Sequence, residues 1–241
     1  MVRHSVSTHL GRAYCRERAP QRLHELGFRW RRLGHRHLKA KPEAQAAFRT
    51  ELEALLAEWH EDCELICVDE ATVRRHPTLM APWRVVEGVP EVPTGDDHTK
   101  VPVYGAVAPL TGRTHDHVSP ELGQAEFALF LEHLVAYSPG KRLLAIHDRG
   151  AQHKGVSIAE VVREAAGRLV LKPPPAYSPE LNPQERIWKW WRHVVTRNHW
   201  FATLREQIKA IHNFFRYLAG MKDQVRRLCG FTTPESFVAS L

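Results

Sequence analysis

The pattern of apolar and polar positions divides the chain into a helical beginning, a strand-rich middle and a helical end. Between residues 43 and 60, apolar residues recur at helical spacing, which predicts a long amphipathic helix. Short apolar runs bounded by Gly and Pro follow, and such runs are typical of strands. The runs that predict strands or parts of strands are 65–68, 83–86, 101–108, 142–147 and 169–171.

Further helices are predicted between and after these strands. Ser157–Glu160 has the spacing of a capping box and predicts the start of a helix that ends near Gly167. Thr203–Glu206 has the same spacing and predicts the start of another helix. A helix is also predicted over residues 124–137, with four apolar side chains directed inward, namely Phe127, Phe130, Leu131 and Leu134.

The order of these elements predicts the fold. The predicted order begins with an antiparallel meander. A strand, a helix and a second strand that pairs parallel with the first follow between 142 and 171, and helices complete the chain. This order is that of a ribonuclease H-like arrangement. The predicted fold class is therefore α/β, with a ribonuclease H-like mixed sheet flanked by helices and a short basic all-α N-terminal module. The expected domains are a partial helix-turn-helix module (1–42), a linker helix (43–62) and a ribonuclease H-like domain (63–241).

Three carboxylates occupy positions where a metal site could form. Asp69 and Asp148 each end an apolar run, and Glu185 lies in the first turn of a predicted helix. Hard oxygen ligands that converge from separate elements are what a pair of divalent cations needs for phosphoryl transfer. Each acid also has a structural explanation. The aspartates could be solvated strand ends, and Glu185 could complete a capping box behind Asn182 and Pro183.

The net charge of +7 is unevenly distributed along the chain. Residues 1–50 hold twelve Lys and Arg against three Asp and Glu, and residues 186–227 hold ten against two. The segment between them, with all three candidate ligands, holds twelve against twenty-one. Cations would relieve the repulsion among its carboxylates, whereas the basic ends favour a polyanion such as nucleic acid. Solvated helix faces are the alternative explanation for the basic ends.

Composition excludes several other classes of protein. No apolar run approaches the roughly 18 residues of a membrane span, and the N-terminus has no signal-peptide core, so we expect a cytoplasmic protein without a membrane partner. The four cysteines include no CxxC pair, which supports neither a disulfide framework nor a zinc site. Near the N-terminus, Pro20 and Gly27 are placed where a short helix could begin and end.

Several segments resemble the mariner-related bacterial insertion-sequence transposases of the insertion sequence 630 type. The stretch YSPELNPQERIW at 177–188 is similar to the signature of that family, whose third catalytic acid is the Glu of its NP-x-E segment. Asp69 followed by Glu resembles the first catalytic block, and Asp148 with His153 resembles the second. Residues 31–53 are similar to the segment that joins the DNA-binding and catalytic domains. Arg149 stands where the family commonly has Asn.

The resemblance implies a DNA transposase that cuts strands at element ends and transfers them into target DNA. It implies that Asp69, Asp148 and Glu185 hold two Mg²⁺ or Mn²⁺ ions. It further implies double-stranded DNA partners (terminal inverted repeats and a TA target) and a homodimer on DNA. Other expected site residues support the ligands or contact phosphate (Arg149, His153, Lys189, Arg192) or bind DNA through the N-terminal module (Arg22, Arg29, Arg31, Arg32).

Two other functions remain open from the sequence. One is a catalytically inactive transposase remnant that acts as a DNA-binding protein, since the basic N-terminal part is shorter than the paired subdomains that the family carries. The other is a ribonuclease H-like nuclease or resolvase with a different substrate. The retention of all three acids argues against the first, and the YSPELNP segment argues against the second.

Overall fold

The computed structural model describes residues 11, 15, 18–29, 37–58, 62–81, 91–96 and 99–230. The chain forms two compact units, Met1–Leu38 and Lys39–Leu241. In the first unit, α1 spans Arg18–Glu25, and Gly27 follows it with φ +85°. The short helix predicted near Pro20 is therefore present, although it begins two residues earlier. The predicted strand at 83–86 lies outside the described residues.

The second unit contains a sheet and six described helices. Its elements in chain order are α2 (Pro42–Ala57), β1 (Cys63–Arg74), β2 (Lys100–Ala108), β3 (Arg113–Val118), α3 (Gln124–Tyr137), β4 (Arg142–Ile146), α4 (Val156–Glu164), β5 (Leu169–Lys172), α5 (Gln184–Trp191), α6 (Leu204–Ala219) and α7 (Lys222–Leu228). Two 3₁₀ turns, Ala151–His153 and Pro179–Leu181, and a π-helical segment, Arg192–Thr196, lie between them. In the described part of the chain, no helix is both long and apolar enough to cross a bilayer.

The five strands form one mixed sheet in the order β3-β2-β1-β4-β5. β1, β2 and β3 pair antiparallel, whereas β4 pairs parallel with both β1 and β5. The predicted ribonuclease H-like arrangement of a meander followed by a parallel unit is confirmed.

Two strands differ from the prediction. β1 runs on to Arg74, because beyond Cys67 it pairs with β2 instead of β4, so Asp69 lies within the strand and not at its end. β3 is a strand that the apolar pattern did not predict. It lies at the edge of the sheet and all six of its residues are only partly buried, so its sequence, RTHDHV, lacks the apolar alternation by which strands are recognised.

Side chains alternate between two hydrophobic cores, one on each face of the sheet. On β1, Leu65 and Cys67 enter the core that contains α2, α5 and α6, and Ile66 and Val68 enter the core that contains α3 and α4. This alternation follows from the two-residue period of a strand. Because both faces are covered, the centre of β1 is apolar at every position.

The ends of the helices test the capping predictions. Thr203 Oγ1 accepts a hydrogen bond from the Glu206 amide at 3.1 Å, as expected of the N-cap of α6. Glu206 Oε2 accepts from the Ala202 amide at 3.0 Å, one residue before the amide that a capping box uses. The box predicted at Ser157 is wrong, because α4 begins at Val156 behind Gly155. Gly155 turns the chain with φ +139°, a conformation that favours glycine.

The helix α5 lies close against the sheet over Gly105 of β2. A Cβ atom at Gly105 would lie 2.5 Å from both Gln184 Nε2 and Trp188 Cζ2. Gly105 pairs with Asp69 across the β1–β2 ladder, so the space that its missing side chain provides lies beside Asp69. The glycine therefore allows α5 to lie against the sheet at the level of this carboxylate.

We expect Gly105→Ala to destabilise the protein by about 1–3 kcal/mol, because the rigid Trp188 ring has to move to admit a methyl group. Urea unfolding would measure the change. Gly220→Ala is a matched control, since its φ is −83° and its nearest contact, the Tyr217 carbonyl oxygen, would lie at an ordinary 3.5 Å. Equal stability of the two variants would show that α5 does not depend on Gly105.

Candidate active site

The parallel pairing of β1 with β4 brings Asp69 and Asp148 together. Their register pairs Cys67 with Ile146, and extending it by two residues places Asp69 level with Asp148. Two residues further along a strand, a side chain is on the same face again. Both aspartates are therefore directed to the sheet face that α5 covers.

Glu185 reaches the same place from α5, of which it is the second residue. Asn182 sets this position, because its Oδ1 accepts a hydrogen bond from the Gln184 amide at 3.1 Å and its Nδ2 donates to the Val68 carbonyl at 2.8 Å. The side chain of Asn182 thus caps α5 and also ties it to the residue that precedes Asp69.

The capping box considered for Glu185 is wrong. The Asn182 amide, which such a box would use, instead donates to the Pro179 carbonyl at 3.0 Å. Among the described residues, none donates a hydrogen bond to the Glu185 carboxylate. Its oxygens therefore remain available to a ligand.

Asp69, Asp148 and Glu185 line one cleft of about 420 Å³. The rest of its lining comes from residues after β4 and from the loop before α5, namely Arg149, Gly150, Pro174, Pro175, Ala176, Tyr177, Ser178, Pro179 and Asn182. The cleft is thus a concave site with three acidic groups, whose carboxylate oxygens could serve as ligands of a cation.

Burial and like charges act on Asp69. Its side chain is buried, and desolvation together with the negative charges of Glu185 and Glu70 raises the pKa of Asp69 to about 8. Asp148 is half exposed, and the hydrogen bond from His153 lowers its pKa. The metal-free site therefore holds one carboxyl that keeps its proton near neutral pH and one that is ionised.

Glu70 takes part in the site although it is on the opposite face of β1. Its carboxylate pairs with His153 Nε2, while His153 Nδ1 lies 2.5 Å from Asp148 Oδ1. The Gly150 amide donates to the same Asp148 oxygen at 2.8 Å. His153 therefore bridges Glu70 to Asp148. It contacts Oδ1 of Asp148, the oxygen that also accepts from Gly150, and not Oδ2.

The environment of His153 keeps this bridge charged. Burial opposes the positive charge, but the hydrogen bonds to Asp148 and Glu70 outweigh it and raise the pKa of His153 to about 10. Its neighbour His147 is shifted the other way, because burial and the positive charge of His153 lower its pKa to about 4. His153 is thus a cation and His147 is neutral at pH 7.

The donor set fits hard divalent cations. Asp69, Asp148 and Glu185 offer carboxylate oxygens from three separate elements, and such oxygens are the preferred ligands of Mg²⁺ and Mn²⁺. Glu70, Asp148 and His153 also bring one ligand atom each within 4.8 Å of one another. Since both nitrogens of His153 are already occupied by carboxylates, the ring acts as a bridge in this arrangement.

The predicted basic residues of the second unit differ in their relation to the cleft. Arg149 lines it, and its Nε donates to the Pro174 carbonyl at 2.6 Å, which joins the two walls. Lys189 and Arg192 are exposed, one and two turns beyond Glu185, and do not belong to the described lining. Their contact with phosphate remains a prediction.

The arginines of the N-terminal unit were predicted to bind DNA. Arg22 pairs with Glu25 at 2.7 Å, and the Arg29 guanidinium donates to the carbonyls of His24 and Phe28 at 3.0 and 3.1 Å. Both side chains thus contact α1 or its end. Arg31 and Arg32 lie outside the described residues, and the DNA contacts of all four remain predictions.

The candidate residues drawn from the sequence do not include Glu70, which the structure places beside His153. The signal that could have revealed it is the two-residue period of β1, which directs residue 70 toward the face that His147 and His153 share. Nothing in the local sequence indicated that His153, 83 positions later, would meet it there.

Comparison with known families identifies the chain. The family model described as DDE superfamily endonuclease matches residues 64–208, and that of the winged helix-turn helix matches residues 1–52. The chain belongs to the DDE superfamily of endonucleases. The range of the first match contains all three carboxylates of the cleft.

Individual relatives of this DDE endonuclease agree. This chain is 26% identical over 175 residues to the "Insertion element IS630 uncharacterized 39 kDa protein" of Shigella sonnei. The match covers 72% of this chain and 50% of that relative. The chain thus spans about half the length of that protein. The resemblance to mariner-related insertion-sequence transposases is confirmed.

Solved structures confirm the ribonuclease H-like fold. The Mos1 mariner paired end complex with Mg is 16% identical to this chain. The two superpose with a TM-score of 0.60, over 100% of this chain and 74% of the Mos1 chain. The complex with Mn is 13% identical, with a TM-score of 0.62 over 97% and 72%. At these identities the likeness concerns the fold.

Metal-free protein should lose stability as pH rises from about 4 to about 8, because Asp69 keeps its proton in the folded chain to about pH 8 but loses it near 3.8 when unfolded. Asp69→Asn cannot ionise. We therefore expect its melting temperature in EDTA to exceed that of the unaltered chain by a margin that grows over this range. Asp223→Asn, whose side chain is 85% exposed, is the control and should show no such trend. A margin for Asp69→Asn that does not change with pH would contradict the prediction.

Proposed function

We propose that this DDE endonuclease is a DNA transposase, which cleaves DNA strands at the ends of a mobile element and transfers them into target DNA. The observation that supports the proposal is the convergence of Asp69, Asp148 and Glu185 on one cleft from β1, the end of β4 and the start of α5. Three oxygen ligands on a rigid sheet and a capped helix form a preorganised site for phosphoryl transfer.

The three carboxylates are proposed to hold two Mg²⁺ or Mn²⁺ ions. When bound, such a pair would activate the attacking water or 3′-hydroxyl and stabilise the leaving oxygen. His153 and Gly150 hold one oxygen of Asp148, so that the other is available to a cation. Arg149 is proposed to support the ligands through its hydrogen bond to the Pro174 carbonyl or to contact a DNA phosphate. The similar Mos1 complexes with Mg and with Mn support this choice of ions.

The proposed partner is double-stranded DNA, with terminal inverted repeats as one substrate and target DNA as the other. The winged helix-turn helix match over residues 1–52 supports it. We propose that Arg22, Arg29, Arg31 and Arg32 contact the element end, within a domain order of 1–42, 43–62 and 63–241. The paired end complexes formed by Mos1 support a homodimer that holds two ends.

Glu185→Gln separates a metal ligand from a structural residue. The substitution keeps the size of the side chain and removes the charge that a divalent cation requires. We expect cleavage of pre-nicked element-end DNA in Mn²⁺ to fall by about two orders of magnitude or more. The melting temperature should not fall, because the described residues make no hydrogen bond to this carboxylate and its removal relieves repulsion of Asp69.

Glu160→Gln, an exposed carboxylate of α4, is the matched control and should cleave normally. Retained cleavage in Glu185→Gln would remove this residue from the proposed site. If the unaltered chain binds the DNA but leaves it intact in Mn²⁺, the inactive DNA-binding protein becomes the better description.

Lys189 and Arg192 are proposed to contact phosphates beside the cleft. Replacing both with Ala should reduce the slope of log affinity against log salt by about 2, because each side chain would neutralise one phosphate and so account for about one unit of the slope. Fluorescence anisotropy at several salt concentrations would measure the slope. Lys154 and Arg163, exposed in the acidic middle segment, provide a control pair with the same change in charge. Equal slopes for the two double variants would show a general charge effect.

A further inference from the structure

The loop that leads to Glu185 is held from outside by α2. This loop, residues 173–183, joins β5 to α5 and supplies most of the wall of the cleft. The side-chain amide of Gln45 in α2 donates from Nε2 to Ser178 Oγ at 2.9 Å and to Glu180 Oε1 at 2.6 Å. One amide group therefore links two residues of the loop, on either side of Pro179.

The contact belongs to a wider docking of α2 on the second unit. Phe48 and Leu52 are 5% and 0% exposed and lie in the same core as Leu181 and Ile187. Glu51 forms an ion pair with Lys172, the last residue of β5. The position of α2 is therefore set by apolar burial, and Gln45 is carried to the loop by a helix that cannot easily move.

The loop needs such support. Tyr177 has φ +60°, a left-handed conformation that is unfavourable for a residue with a side chain. The loop also begins with three prolines, Pro173, Pro174 and Pro175, which have no amide hydrogen to donate. The ammonium group of Lys39 lies 5.5 Å from the centre of the Tyr177 ring, a further contact from the segment before α2.

We infer that Gln45 is a positioning residue for Glu185. Its amide fixes the Ser178–Glu180 turn, which leads through Asn182 into the first turn of α5. Gln45 does not line the cleft, so its effect is transmitted through the loop. Its consequence for cleavage rests on the proposed function, whereas its effect on the loop does not. Gln45 lies within residues 1–52, the segment that the winged helix-turn helix family model matches, so a residue of that segment would set the geometry of the cleft.

Gln45→Glu tests the inference with a nearly isosteric change. A carboxylate cannot donate to Glu180 and repels it, so the loop should loosen. In metal-free protein we expect amide hydrogen exchange at Leu181, Asn182 and Glu185 to accelerate about tenfold, because each of these amides donates within the loop or at the start of α5. The Mn²⁺-induced rise in melting temperature should shrink, and half-maximal cleavage should require more Mn²⁺.

Exchanging the donor and the acceptor provides the rescue. Adding Glu180→Gln to Gln45→Glu restores a hydrogen bond in the opposite direction, and both readouts should return toward those of the unaltered chain. Thr50→Glu is the matched control, since it adds the same charge at an exposed position of α2. It should leave exchange in the loop and the response to Mn²⁺ unchanged.

The outcomes separate this inference from the proposed function. Unchanged exchange in both Gln45→Glu and Gln45→Ala would overturn the positioning role, as would an equal effect of Thr50→Glu or a failure of the double variant to recover. If exchange accelerates and recovers as expected while the unaltered chain neither responds to Mn²⁺ nor cleaves DNA, Gln45 positions the loop and the proposed function is wrong.

Discussion

Repulsion among carboxylates is the constraint on which the rest of the site depends. Asp69, Asp148 and Glu185 share one cleft, and burial together with the charges of Glu185 and Glu70 raises the pKa of Asp69 to about 8. Such a cluster is stable only if protons or cations neutralise part of its charge. His153 supplies one positive charge from behind Asp148. On the cleft side, the guanidinium of Arg149 donates to the Pro174 carbonyl, and bound metal would complete the balance of charge.

The framework that holds these charges together is a sheet covered on both faces. Because neighbouring residues of β1 are directed to opposite faces, Asp69 meets α5 while Glu70 meets His153. One strand thus contributes both to the cleft and to the support behind it. The close approach of α5 over Gly105 brings Glu185 near enough to act on the pKa of Asp69. Apolar burial on the two faces therefore stabilises an arrangement that electrostatics alone would drive apart.

Much of this organisation was predictable from the sequence because it depends on local patterns. The apolar run before Asp148, the helix over 124–137 and the helix start at Thr203 all followed from spacing, and the structure confirms them. Polar stretches were the weak point. The edge strand β3 was not predicted, and the end of the apolar run at Val68 was taken for the end of β1. Both segments are strands because they pair with β2, and this pairing does not require apolar side chains.

The sequence by itself determined which carboxylates were candidates and the order of elements that could bring them together. Only the tertiary structure decided how they are held. The contacts of Asn182 with Val68, of His153 with Glu70 and of Gln45 with the loop at 173–183 join residues between 83 and 135 positions apart. Spacing along a chain carries no information about such contacts, because they depend on which faces of separate elements the two cores bring into register.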